Sequence, residues 1–171
     1  MLGMAAMTRG GMNGAVMQMF NHGTITAMLF LLVGVVYDRA HHRDIDGFGG
    51  LAKNMTVYSG ITAVAFFAAL GLPGFSGFIS EVLAFIGAFN SEIFTIRVIA
   101  VLGTSGIVLT AAYMLWTYQR MFLGPVNEKY TDMPDCTLRE KFTLIPLAVI
   151  IFILGIFPKL LIDLFDPTMQ R

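Results

Sequence analysis

The sequence predicts an all-α polytopic membrane protein with about four transmembrane helices, and three observations carry that prediction. Hydrophobic residues make up 56% of the 171 positions and charged residues only 13%, against about 25% charged in an ordinary soluble chain. Mean hydropathy is +0.74. The charges are gathered into short stretches, and the apolar runs between them approach the ~20 residues that cross a bilayer. Asp38, Asp44 and Asp46 share one polar stretch and Glu128, Asp132, Asp135 and Glu140 another. Glu92 marks a third boundary, and Asp163 and Asp166 lie near the C-terminus. Glu81 alone sits inside an apolar run.

The first span is expected over 14–37. The opening MLGMAAMTRGG reads as the start of a helix already under way, as in a piece of a longer chain, and no small-residue cleavage site follows Arg9. The second apolar region, 55–89, is roughly 50 Å long as a helix, too long for one straight span. Its halves, separated by Gly71-Leu72-Pro73-Gly74 and Ser76-Gly77, are each too short for a comfortable span. One helix broken at 71–77 fits, with its irregular backbone lining a protein cavity instead of facing lipid. The third span is expected over 96–121. The fourth runs over 142–157 and continues past Pro158 as a short interfacial piece, so the whole element covers 142–165.

Loop charges choose between four spans and five. Four spans place seven Lys and Arg on one side of the membrane and four on the other, whereas five spans split them five to six. The excess of positive charge in cytoplasmic loops favours four, with both termini on the non-cytoplasmic side. Net charge is zero and no basic block exists, so nucleic acid is not an expected partner. Cys136 is the single cysteine, which leaves no internal disulfide and no CxxC metal site. No phosphate loop, dinucleotide fingerprint or Ser/His/Asp arrangement is present, so this chain is expected to bind no cofactor itself.

Glu81 leads the candidates. An intramembrane carboxylate costs a few kcal/mol, so it is a functional hypothesis by default. It lies one to two turns into the half-helix that begins near Phe75. The positive end of that half-helix favours the anion, while burial favours the neutral acid. Such opposed demands suit a group that gains and loses a proton, and discontinuous helices recur at transport sites. The alternative is a structural carboxylate paired with a cation on another helix. His22 sits mid-span, and Gly14, Gln18, His22 and Thr26 recur every four residues on one face, with Asn21 beside it. That stripe either carries protons through water or packs one helix on another. Thr110, Tyr113, Thr117 and Arg120 form a similar stripe, read as packing or hydrated lining. The adjacent His41 and His42 lack a third ligand and read as a solvated, salt-bridged turn and not a metal site. The twelve methionines are read as apolar filler.

The residues Gly14-Ala15-Val16-Met17-Gln18-Met19-Phe20-Asn21-His22-Gly23 and Tyr37-Asp38-Arg39 resemble the late helices of the antiporter-like chains of respiratory complex I. So do Gly49-Gly50-Leu51-Ala52 and Gly71-Leu72-Pro73-Gly74-Phe75-Ser76-Gly77-Phe78-Ile79-Ser80-Glu81. The resemblance is dense over 14–89 and looser beyond. Glutamate at 81, where sister chains and sodium/proton antiporter subunits usually carry lysine, is most similar to the chain M type, the counterpart of mitochondrial NADH dehydrogenase chain 4. Thr56 departs from the family's usual proline after Met55. The resemblance implies an antiporter-like helix bundle of about fourteen helices in inverted repeats, of which this sequence holds four. It implies proton translocation by a membrane-arm subunit of NADH:quinone oxidoreductase in the cell inner membrane. Sister antiporter-like chains and other membrane subunits are the implied partners, along with the lipid bilayer. NADH, FMN, iron-sulfur clusters and quinone are implied to work in those other subunits. Glu81 and His22 are then the implied proton-carrying residues, with Gln18, Thr26, Tyr113 and Thr117 as channel lining. Gly71, Pro73, Gly74 and Gly77 would form the break beside Glu81. A multisubunit sodium/proton antiporter, a hydrogenase membrane arm and a non-conducting structural subunit stay open as alternatives.

Overall fold

The computed structural model describes residues 1–169. Gln170 and Arg171 lie outside the described residues, and with Arg171 one of the loop charges counted above. Helices account for most of the chain, and no strand occurs among the described residues. The order is α1 (Leu2–Ala5), α2 (Arg9–Ala40), α3 (Thr56–Ala69), α4 (Ser76–Phe89), α5 (Phe94–Phe122), α6 (Leu138–Ile156) and α7 (Lys159–Met169), with three single 3-10 turns in the connecting loops.

Several boundaries have a local cause. Thr8 caps α2 by accepting from Gly11 N–H at 3.2 Å, and its hydroxyl donates to the Gly87 carbonyl at 3.0 Å. The helix runs through 32 residues and ends at His41 in the left-handed conformation. Thr137 and Glu140 form a reciprocal capping box at the start of α6. Pro158 then ends α6, and α7 turns away by 78°. Both α2 and α5 are long and apolar enough to cross a membrane singly, and the bent α6–α7 pair qualifies as a third. Helices α3 and α4 have 14 residues each, about 21 Å at 1.5 Å per residue, which is shorter than the ~30 Å hydrocarbon core.

The break between α3 and α4 occupies Leu70 to Phe75. Gly71 and Gly74 have φ of +67° and +97°, values that a side chain rarely tolerates. Pro73 has no N–H to continue a helix. The break is narrower than the sequence suggested, because Ser76 and Gly77 already belong to the first turn of α4.

Helix α4 packs most closely on α2. A Cβ on Gly14 would stand 2.5 Å from the Ala84 nitrogen, and one on Gly87 would stand 2.2 Å from the Gly11 nitrogen. The two backbones meet at glycine on each side, the small-residue contact that membrane helices favour. Around this pair, Met28, Leu32, Met55, Ala65, Leu144 and Ile151 form the buried core of α2, α3 and α6. Helix α5 is the outlier, with only Ala100 and Phe122 buried. Much of its remaining surface is made of exposed large apolar side chains such as Val101, Leu102, Val108 and Leu109, which suits contact with lipid or with further helices.

Candidate functional site

Glu81 lies over the break between α3 and α4. The side chain leaves α4 at its sixth residue and folds back over the break. A Cβ placed on Gly71 would lie 2.6 Å from Glu81 Oε2 and 3.2 Å from its carboxyl carbon. Glycine at 71 therefore serves two needs, a positive φ and room for the carboxylate. Glu81 is half-buried, and among the described residues no hydrogen bond or ion pair is made by its carboxylate.

A cavity of about 190 Å³ opens beside it. Gln18, His22 and Thr26 of α2 line one wall, Thr110 and Tyr113 of α5 another, and Glu81 and Gly77 of α4 a third. A second hollow of about 410 Å³ lies on the other side and is lined by α1, Ala15, Met19, Ala84 and Phe85. Gln18, His22 and Glu81 line both, so these three polar side chains stand where the two spaces meet. The four-residue stripe on α2 divides its work. Gly14 gives close packing on α4, whereas Gln18, His22 and Thr26 face the cavity.

Thr117 is the predicted lining residue that falls outside this cavity. It lines a neighbouring, mostly apolar hollow of about 280 Å³ with Thr62, Phe66 and Met121. Its hydroxyl is spent on the Tyr113 carbonyl at 2.8 Å, and Thr110 bonds Gly106 in the same way at 2.9 Å. Both bonds are one turn back along the same helix, the usual refuge of threonine in an apolar medium.

Sequence reasoning passed over Asn21, which it noted only as flanking His22. Asn21 is fully buried. Its Nδ2 donates to the Ser76 carbonyl at 2.8 Å and to Ser80 Oγ at 3.1 Å. Ser80 Oγ in turn reaches Gln18 Oε1 at 2.5 Å. Only the identity of the helix packed against that face of α2 could have revealed the role.

The polar loops form a separate cluster. Arg39 donates to both carboxylate oxygens of Glu140, at 2.9 and 2.8 Å, and to the carbonyls of Val35, Pro134 and Asp135. This bidentate hydrogen bond from Arg39 holds the Glu140 carboxyl down to about 2 against an ordinary 4.5. Burial pulls the Asp135 carboxyl up, but the N–H groups of Val57, Cys136 and Tyr58 outweigh it and leave that carboxyl below its ordinary value. Asp135 thereby caps α3 from a distant loop. His42 is packed instead of solvated. It stacks on Phe48 with centroids 4.5 Å apart and shares a hydrogen bond with Tyr130 OH. Among the described residues no three His, Cys, Asp or Glu side chains gather in a way that could hold a metal ion.

The family model described as "NADH:quinone oxidoreductase/Mrp antiporter, TM" matches residues 1–110. NADH-quinone oxidoreductase subunit M of Rhodobacter capsulatus is 41% identical over 99% of this chain and 33% of its own length. NAD(P)H-quinone oxidoreductase chain 4-1 of a Synechocystis strain is 36% identical over all of this chain and 34% of its own. The chain thus spans about a third of the length of these curated relatives. A chain of respiratory complex I from Thermus thermophilus with bound NADH superposes with a TM-score of 0.86 at 27% identity, covering 99% of this chain and 36% of that one. A chain of the Mrp complex from a Dietzia strain shares the fold, with a TM-score of 0.80 at 20% identity over 98% of this chain and 39% of that one. With the broken helix, the buried α2–α4 contact and these matches together, the chain belongs to the NADH:quinone oxidoreductase/Mrp antiporter family of membrane proteins.

Proposed function

We propose that this chain contributes the Glu81 segment of a proton-translocating membrane-arm subunit of NADH:quinone oxidoreductase, of the subunit M or chain 4 type. The observation that carries the reading is the cavity at the helix break, where Glu81, His22, Gln18, Thr26 and Tyr113 converge. Its volume of about 190 Å³ has room for several waters. Water there would link the Glu81 carboxyl to the His22 ring by hydrogen bonds, so that a proton could pass between them. Glu81 is suited to this task because it is half-buried beside polar side chains, while the nearby start of α4 tolerates the anion. The polar side chains on α2 and α5 would orient the water, and the break would supply backbone able to adjust around the carboxylate.

In this reading the chain crosses the membrane four times, with α3, the break and α4 forming one crossing. It sits in the inner membrane of a bacterial cell beside sister antiporter-like chains and other membrane subunits. NADH, FMN, iron-sulfur clusters and quinone serve the redox reaction in those other subunits, and the energy released drives protons through this one. A sodium/proton antiporter subunit shares the fold, but glutamate at 81 resembles the oxidoreductase type.

The test is Glu81→Gln in the complete protein, assembled into the complex. Proton pumping coupled to NADH oxidation should fall at least about tenfold, as expected when a titrating relay loses its proton, while assembly persists. Unchanged pumping by a normally assembled variant would rule out the translocation role.

A further inference from the structure

Among the described residues nothing bonds the Glu81 carboxylate, yet its direction is defined by the helix that carries it. Helix α4 does not continue from α3, and Phe75 before it offers no side-chain cap. Glycine contacts at Ala84 and Gly87 hold its later turns to α2, and a second grip is added at its first turn, next to Glu81. That grip is polar and comes from α2. Asn21, Ser76 and Ser80 are 0%, 1% and 0% exposed. The orientation of the Asn21 amide follows from chemistry. Nδ2 must face the Ser76 carbonyl, because Oδ1 there would set two acceptors together. Ser80 Oγ accepts from Asn21 and has a single proton to give. Gln18 Oε1 at 2.5 Å, the Gly77 carbonyl at 3.0 Å and the Ser76 carbonyl at 3.3 Å compete for it.

Among the described residues, Asn21 Oδ1 and Ser76 Oγ are buried with no hydrogen-bond partner. An apolar contact between the same helices would leave no such atom unpaired. What this polar knot supplies is direction. Ser80 and Glu81 are adjacent and so about 100° apart around α4. Holding Ser80 against α2 turns Glu81 toward the cavity that it shares with His22.

We infer that Asn21 is a positioning residue for Glu81. Through the Ser76 carbonyl and Ser80 Oγ it fixes the rotation of the first turn of α4, and with it the placement of the carboxylate between the two hollows. The inference rests on the proton-carrying role of Glu81 proposed above.

The experiment compares Asn21→Leu, Ser80→Ala and Glu81→Gln in the full-length protein within the assembled complex. Protons pumped per NADH oxidised are measured from pH 6 to 9, with assembly followed on native gels. Asn21→Leu and Ser80→Ala should each lower the ratio by roughly tenfold or more, as a misplacement of about 1 Å at a reacting group does. They should also shift its pH profile, which a purely structural loss would only scale. If Asn21→Leu does not assemble, Ser80→Ala decides, since it removes one hydroxyl and keeps a good helix former. A Glu81→Gln that abolishes pumping, beside Asn21→Leu and Ser80→Ala with wild-type ratio and pH profile, overturns the positioning role alone. A Glu81→Gln that pumps normally overturns the proton-carrying role and this inference with it.

Discussion

At the scale of the residue, the site depends on Gly71 as much as on Glu81. Gly71→Ala would force a Cβ into a left-handed residue, at a cost of about 1–2 kcal/mol. It would also drive that Cβ to 2.6 Å from a carboxylate oxygen. The side chain of Glu81 is flexible at its far end, so relief comes by swinging the carboxylate away from the break. Pumping by the assembled complex should therefore fall several-fold, more than an ordinary loop substitution explains. Oxidation of NADH by artificial acceptors in the assembled complex checks that the redox subunits are intact. Glu81 and the glycines of the break were legible in the sequence, because a lone carboxylate and a Gly-Leu-Pro-Gly run stand out against apolar neighbours. The return of the carboxylate onto Gly71 was not, since it depends on how the chain turns between two helices. His22 and Asn21 show the same limit. Spacing every four residues identified the cavity-facing stripe with His22. Asn21, one residue and 100° away, gained its role only from the helix that happens to pack there.

At the scale of the element, the ends of α2, α3 and α6 are tied by charge. Arg39 leaves the last turn of α2, a favourable place for a cation, and meets Glu140 in the capping box of α6. Asp135 caps α3 from the same loop. The pair is partly buried, with side chains 11% and 21% exposed, so screening by water reduces its contribution without removing it. Glu140→Gln in the purified full-length protein should cost about 1–2 kcal/mol near neutral pH. The pH dependence has a definite sign. The Glu140 carboxyl is held near 2 when folded, against an ordinary 4.5, so its contribution is complete above about 4.5 and fades as pH falls toward 2. The gap in melting temperature between wild type and Glu140→Gln should stay constant from pH 7 to 5 and narrow below that. A gap that does not narrow would mean that Glu140 acts only through packing or capping. The sequence predicted helices at these places because apolar runs bounded by Gly, Pro and charge are local signals. It missed the burial of Cys136 and the packing of His42 because those depend on loops meeting across the molecule.

At the scale of the whole molecule, the two long polar loops pack on each other. Asn127 donates to the Gly47 carbonyl at 2.9 Å, and Asn54 donates to the Tyr130 carbonyl at 3.0 Å. Gly50 N–H reaches the Leu123 carbonyl at 3.2 Å, and His42 bonds Tyr130. Loops in such contact occupy one side of a membrane. In the proposed topology the chain between them, through α3, the break, α4 and α5, crosses an even number of times. Two crossings satisfy this if α3 and α4 together make one and α5 makes the other. Counting α3 and α4 as separate spans would put the loops on opposite faces, at odds with every one of these bonds. The same assignment collects seven of the lysines and arginines on the loop side, which the charge rule identifies as cytoplasmic. Single cysteines introduced at Lys53, Lys129 and Glu92, in a full-length protein whose native cysteines have been replaced, test the arrangement directly. A membrane-impermeant maleimide added to inside-out vesicles should label Lys53→Cys and Lys129→Cys. Right-side-out vesicles should label Glu92→Cys, which lies between α4 and α5. Labelling of Lys53→Cys and Lys129→Cys from opposite faces would break the four-span topology and, with it, the single broken crossing that holds Glu81 at its cavity.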